Sequence, residues 1–513
     1  MILENGVIRT MDSTLPIVRA LAIAGDRIAG GVGTHETALA SPERVDLGGR
    51  CVVPGFTDSH VHFAQWSLAQ RNVRLEGARS LDDAVARVAE AVGRVPPGRW
   101  LRGFGWRSGE WSPPVEPSKE ALDRVTGDVA VALTAKDGHS LWLNSAALAR
   151  ADGRLQVEGG VVEVDERGEP TGLLREESAW RFRDTFVETP EDEWVDAMRE
   201  GVRIANARGV TAVHDKDGWL GAPRFWRRLE AEGSLTLRVW QSFPHERLPE
   251  LERLGVRSGL GDDLLRIGYI KVFTDGTLGS RTARLLDGSG VEITSRADFQ
   301  EIVRRSARAG FPVAVHAIGD RANRDALDAF EAAQDDWRPR ALRQRIEHAQ
   351  LLAREDVERF ARIGVAASVQ FSHGPSDRDL ADELWAGMTE RAYAYRSLLD
   401  AGAALANGSD APVEELDPLM GIRAGALRTL DEREPWHPEQ AVSVEDALVA
   451  STVAPAWLAG DERRRGRLLP GQLADLVVLD RDPVTCSPEE LADIRVVATM
   501  LGGRWVHGGP PFR

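Results

Sequence analysis

The sequence predicts an α/β protein built on a (β/α)₈, TIM-like barrel. A small β-sandwich made from both termini and a long insertion after the first barrel strand complete it. Three observations predict this. Eight short apolar segments with strand character alternate with helical patterns through the middle of the chain. Polar residues close several of those segments, at the strand ends where barrel enzymes carry their chemistry. Both ends of the chain are β-rich and broken by turns, unlike the middle.

At the N-terminus, Ala20–Ala24 leads to the turn Gly25-Asp26, and Arg27–Ala29 to Gly30-Gly31. The C-terminus repeats this texture in Ala474–Asp480 and Val496–Gly503. Residues 1–53 and 467–513 are therefore expected to form one composite β-sandwich, leaving neither end with an open sheet edge. Residues 54–466 form the expected barrel, starting with a strand at His60–Phe63. The further strand candidates are Val210–Asp215, Leu235–Phe243, Leu265–Thr274, Phe311–Ile318, Gln344–Ala349, Val365–Phe371 and Ala403–Ser409. Helical patterns fall between them at Asp298–Ala309, Arg321–Ala333, Arg354–Ile363 and Glu390–Ala401.

About 140 residues separate the first strand from the second, far more than one βα unit needs. Within this insertion, residues 64–190, a helix is signalled by Ser80 as N-cap with Asp83 three residues on. Val85, Val88 and Val92 follow at helical spacing, and Pro96-Pro97 ends the pattern. Trp100, Trp106, Trp111, Trp142 and Trp180 lie in the same stretch. The insertion reads as a cap over a pocket, or its tryptophans pack only its own core.

The chain has 513 residues, 64 basic against 80 acidic, for a formal charge of −16. That balance disfavours nucleic acid and anionic membranes as partners. Cys51 and Cys486 are the only cysteines, which excludes a disulfide framework and leads to the expectation of a cytoplasmic protein. The N-terminus shows no basic start before an apolar core, and no apolar run approaches the roughly 20 residues of a membrane span. A homodimer is the default oligomer, and a small molecule the expected partner.

His60 and His62 are one residue apart at the end of an apolar run, so a strand would put both imidazoles on one face. Neutral histidine is a common metal ligand, and a lone His-x-His pair is weak evidence for a site. Lys271, His316, His348 and Asp410 close later strand candidates, and together such groups are hard to explain as core packing.

The segments Pro54–Phe63, Lys271–Ser280, His316–Asp320, Arg345–Gln350 and Gly408–Pro412 resemble the amidohydrolase superfamily, and more narrowly its family 3, which includes N-substituted formamide deformylases. The resemblance covers essentially the whole chain. It implies one or two divalent cations, most simply zinc, although manganese, iron or nickel suit the same ligands. His60 and His62 would hold one ion and His316 and His348 the other. Lys271 would bridge them as an N6-carboxylated lysine, and Asp410 would touch a metal and act as the catalytic proton acceptor. An unmodified ammonium between two cations would be repelled, whereas a carbamate is an anion. The bland alternatives are a charged strand residue for Lys271 and an Asx turn for Asp410.

His139, His214, Asp275, Arg281, His373 and Trp106 are lesser candidates for contact with substrate. Asp275 could equally orient Lys271 or cap its loop. Arg281 would suit an acidic substrate. His245, His437 and His507 read as surface or structural residues. Relatives usually carry Pro where this chain has Phe371, so the adjoining loop is expected to differ.

The leading reading is a metal-dependent hydrolase of an amide-type C–N bond, in an N-acyl or N-formyl amine or a carbamate. A heterocycle deaminase of the same superfamily is the first alternative, although such enzymes place Glu where Gly319 stands and lack the strand-four lysine. A catalytically silent scaffold is the second, although every ligand position is filled.

Overall fold

The computed structural model describes residues 1–29, 43–136, 140–151, 153–158, 160–187, 189–279, 281–487 and 489–512. Two compact units emerge, one formed by Met1–Trp66 with Met198–Arg513, the other by Ser67–Ala197.

The first unit contains an eight-stranded parallel barrel. Its strands are β1 (Phe56–Val61), β2 (Val210–Asp215), β3 (Arg238–Pro244), β4 (Leu265–Phe273), β5 (Val313–Ala317), β6 (Arg345–His348), β7 (Ala366–Val369) and β8 (Leu405–Asn407). Each pairs with its sequence neighbour in parallel register. The ring is nearly closed where the chain leaving β8 meets β1. There the Asp410 N–H donates to the His60 carbonyl at 2.7 Å, and the His62 N–H to that of Ala411 at 2.9 Å.

The strands are short and buried on both faces, as parallel strands covered by helices must be. The helix Arg296–Ala309 shows how the outer layer forms. Ser295 caps its start by accepting from the Asp298 N–H, Phe299, Val303 and Ala307 face the core, and Gly310 ends it at φ +84°. One expected helix is shorter than its pattern. Glu390–Ala401 resolves into a single 3₁₀ turn, Thr389–Arg391, and a helix over Tyr395–Asp400. Between them Tyr393 takes φ +51°, and its hydroxyl donates to Asp377, a tertiary contact that overrides helical periodicity.

Both ends of the chain enter one further sheet in this unit. It runs Arg504–His507, Val496–Leu501, Leu476–Leu479, Cys51–Pro54, Ile2–Arg9, Ile17–Ala24 and Arg27–Ile28, with Arg44–Asp46 beside Ile2–Arg9. It is tied to the barrel by a bidentate pair from Arg238 to Asp475, at 2.6 and 2.8 Å, and by Thr499 Oγ1 donating to the Asn206 carbonyl.

The second unit has its own six-stranded sheet, in the order Gly160–Val164, Pro170–Glu176, Ser140–Leu143, Val131–Ala135, Leu101–Trp106 and Val73–Arg74. Its helix Leu81–Val92 starts at Ser80, whose hydroxyl accepts from the Asp83 N–H. Ala84, Val85 and Val88 pack into a core with Trp106, Trp111 and Trp142, whose rings lie 6.1–6.3 Å apart. Among the described residues no helix is long and apolar enough to cross a membrane.

Candidate metal centre

Local backbone geometry at the strand ends places the polar groups. The Asp58 carboxylate accepts the His60 N–H at 3.0 Å and the Ser409 N–H at 3.1 Å, tying the end of β1 to the segment after β8. Gly408 permits that approach, because a Cβ there would stand 2.4 Å from the His60 nitrogen. Asp410 then turns inward at φ +58°, and His348 does so at φ +74°. Left-handed backbone at residues with a Cβ costs of order 1–3 kcal/mol and persists where surrounding structure imposes it.

His60 and Asp410 form the middle of the centre. His60 Nδ1 is 2.8 Å from Glu347 Oε2, inside a fully buried pair. An ionised carboxylate only accepts, so Nδ1 carries the proton and Nε2 presents a lone pair. That Nε2 makes no hydrogen bond, yet lies 3.3 Å from Asp410 Oδ1. His62 repeats the arrangement, with Nδ1 at 2.9 Å from Asp217 Oδ1 and Nε2 at 3.6 Å from the same Asp410 oxygen. His348 hands its Nδ1 proton to Gln370 Oε1 at 2.9 Å. Its ring centroid lies 4.9 Å from that of His60 and 4.5 Å from that of His316. His316 donates from Nε2 to the Gly276 carbonyl at 3.0 Å, which frees its Nδ1. Burial holds His60 and His348 well below the usual imidazole range and lowers His316 to about 3, so all three are neutral.

Lys271 is buried, and its Nζ finds no hydrogen-bond partner; it lies 4.7 Å from the centroid of the Phe273 ring. Burial lowers it to about 8. Beneath these side chains sits a charged layer the motifs did not disclose. Lys216 Nζ and Arg345 Nε approach Glu347 Oε1 at 3.0 and 2.9 Å, all three side chains inaccessible to water. Burial pushes Lys216 down to about 7. Glu347 is raised by burial, but Arg345, Lys216 and His60 outweigh that and hold it well below the usual carboxylate range. The signal available in the sequence was alternation: Arg345 and Glu347 share one face of a strand, with the apolar Ile346 between them on the other. Asp217 and Gln370 carried no such signal, because each acts just past a strand end.

Among the lesser candidates, His373 comes closest. It is buried, its Nε2 is unpartnered and 4.0 Å from Asp410 Oδ2, and its Nδ1 faces Gln350 Nε2 at 3.2 Å. Asp275 accepts the N–H groups of Ile318, Gly319 and Arg284, so it holds the loops after β4 and β5, with one oxygen 3.7 Å from His316 Nε2. His214 is fully buried, with Nδ1 3.1 Å from the Arg345 guanidinium. Arg281 is exposed and paired with Glu383 at 3.2 Å. Trp106 lies in the core of the second unit and donates to the Leu133 carbonyl. His139 lies outside the described residues.

The donor set fits a divalent cation. His60 Nε2 turns its lone pair toward Asp410 Oδ1, and His62 Nε2 stands near the same oxygen, a nitrogen–oxygen set of the kind that holds a divalent cation. Two groups among the described residues, His60–His62–Asp410 and His348–His373–Asp410, have ligand atoms within 4.8 Å of one another.

The chain is similar to known proteins along nearly its whole length. Protein LONG AFTER FAR-RED 3 of Arabidopsis thaliana is 32% identical across 99% of this chain and 91% of its own. The N-substituted formamide deformylase of Arthrobacter pascens is 28% identical across 97% of this chain and 96% of its own. The crystal structure of an uncharacterized metal-dependent hydrolase from Pyrococcus horikoshii OT3 matches with a TM-score of 0.81 and 29% identity, covering 95% of this chain and 99% of that one. The amidohydrolase family model matches residues 43–507, from the first sheet through all eight barrel strands, and the chain belongs to the amidohydrolase family.

Proposed function

We propose that this chain hydrolyses an amide-type C–N bond, in an N-acyl or N-formyl amine or a carbamate, using water and a bound divalent cation, most simply zinc. The observation that carries this reading is the approach of His60 Nε2, buried and without a hydrogen-bond partner, to Asp410 Oδ1 at 3.3 Å. His60, His62 and Asp410 would hold one ion, and His316 and His348 a second. Lys271 would serve both as a carbamate, formed when its neutral amine adds carbon dioxide and releases a proton. Bound there, a cation supplies Lewis acidity toward the scissile carbonyl and acidifies water to a pKa of about 7.

The protein's own groups do the rest. Asp410 takes a proton from the attacking water and returns it to the nitrogen that leaves. Burial raises Asp410, which suits a group that must hold a proton between those steps, while His62, His373 and Lys271 oppose the rise. His373 offers Nε2 to a substrate oxygen. Glu347, Asp217 and Gln370 fix the tautomers of His60, His62 and His348, so that no proton blocks a ligand atom.

The test is metal analysis of the purified protein together with hydrolysis of a panel of N-acyl amines, N-formyl amines and carbamates. Amine release that disappears on chelation and in His60→Ala is expected. Full activity in His60→Ala would sink the reading.

A further inference from the structure

The mouth of the centre carries an aromatic surface that the hydrolytic chemistry leaves unused. Trp219 sits in the single 3₁₀ turn Gly218–Leu220, after β2, and is 39% exposed despite its size. Its ring centroid lies 5.3 Å from that of His62 and 6.3 Å from that of Phe273. Phe273, the last residue of β4, lies in turn 5.1 Å from His316. Trp219 and Phe273 thus span from one outer histidine of the centre to the other.

The turn is anchored at the two residues that precede Trp219. Gly218 presses against β3 so closely that a Cβ would stand 2.2 Å from the Ser242 carbonyl oxygen. Asp217 is tied to His62 and to the Gln65 side chain, each at 2.9 Å. Single exposed apolar residues are ordinary on protein surfaces. A large ring seated on a fixed turn against a ligand histidine is a preformed surface for apolar contact. Trp106, Trp111 and Trp142 of the second unit are buried in that unit's own core.

Resting on the amide-hydrolase reading above, we propose that Trp219 and Phe273 form a platform on which the substrate stacks a planar aryl group. The preferred substrates are then amides carrying an aromatic ring near the scissile bond. Trp219 is the residue that sets this preference, acting on substrate binding and not on the bond-breaking step.

The experiment compares N-(2-phenylethyl)formamide with N-butylformamide as substrates for the wild-type protein, Trp219→Ala and Trp219→Phe. It also measures benzamide binding to all three by calorimetry. The wild type is expected to favour the aryl substrate by about tenfold or more in kcat/KM. Trp219→Ala should reduce that preference to within about twofold, chiefly through KM, while Trp219→Phe retains most of it. Benzamide binding should weaken about tenfold in Trp219→Ala. An equal preference in wild type and Trp219→Ala, with both formamides cleaved, would overturn the platform and leave amide hydrolysis standing. If neither formamide is cleaved, the calorimetry decides: weaker benzamide binding in Trp219→Ala supports the platform, and unchanged or absent binding overturns it.

Discussion

His60 and Glu347 share a hydrogen bond of 2.8 Å in which neither side chain touches water, and it fixes which imidazole nitrogen faces Asp410. Arg345 and Lys216 hold Glu347 from its other oxygen, so the orientation of a proposed ligand depends on charges one layer deeper in the barrel. Glu347→Gln keeps the shape and removes the charge. It is expected to weaken zinc binding about 10- to 100-fold, as loss of a ligand's outer partner does. Competition with a chromophoric chelator measures this, and unchanged affinity would refute the positioning role.

The same carboxylate sets an acid limit. Because Glu347 is held below its unfolded value of about 4.5, its ionised form contributes stability at any pH above that value. The contribution falls away as pH drops below 4.5 toward the lower folded value. Wild-type stability in urea should therefore decline in that acidic range more steeply than that of Glu347→Gln, which has no proton to take up there.

Lys271 must be uncharged to add carbon dioxide. With its amine lowered to about 8, the neutral fraction rises about fivefold from pH 7 to pH 8. Reconstitution of metal-free protein with zinc, at fixed dissolved carbon dioxide, should accelerate by that factor and slow when carbon dioxide is removed. Equal rates with and without it would argue against the carbamate.

Gly408 is a tight joint where the ring closes. Gly408→Ala would force a methyl to within 2.4 Å of the His60 backbone and 2.9 Å of Asp58 Oδ1. The strain should destabilise the fold by about 1–3 kcal/mol and reduce zinc occupancy, because Asp410 is displaced from His60. Thermal unfolding and metal content check both effects.

Much of this was legible in the chain because the barrel repeats one local pattern. Short apolar runs closed by polar residues mark strands and their active ends together, and the Val210–Asp215 and Arg354–Ile363 elements match their patterns residue for residue. The Ser80 cap was legible for the same reason, since a side chain that bonds three residues ahead leaves a local signature. Periodicity misplaced the helix near Glu390, where the Tyr393 contact to Asp377 is tertiary.

Residue type at the ends of strand-like segments singled out His60, His62, Lys271, His316, His348 and Asp410 as metal-compatible candidates, and the family resemblance supplied the role proposed for each. Closure of the ring decided what each one faces. Asp410 and His60 are 350 positions apart in the chain and meet only because β8 returns beside β1. The charges of Lys216, Arg345 and Glu347 become one buried network only when the end of β2 and β6 come together, since the energy of a buried charge depends on its neighbours in space and not along the chain.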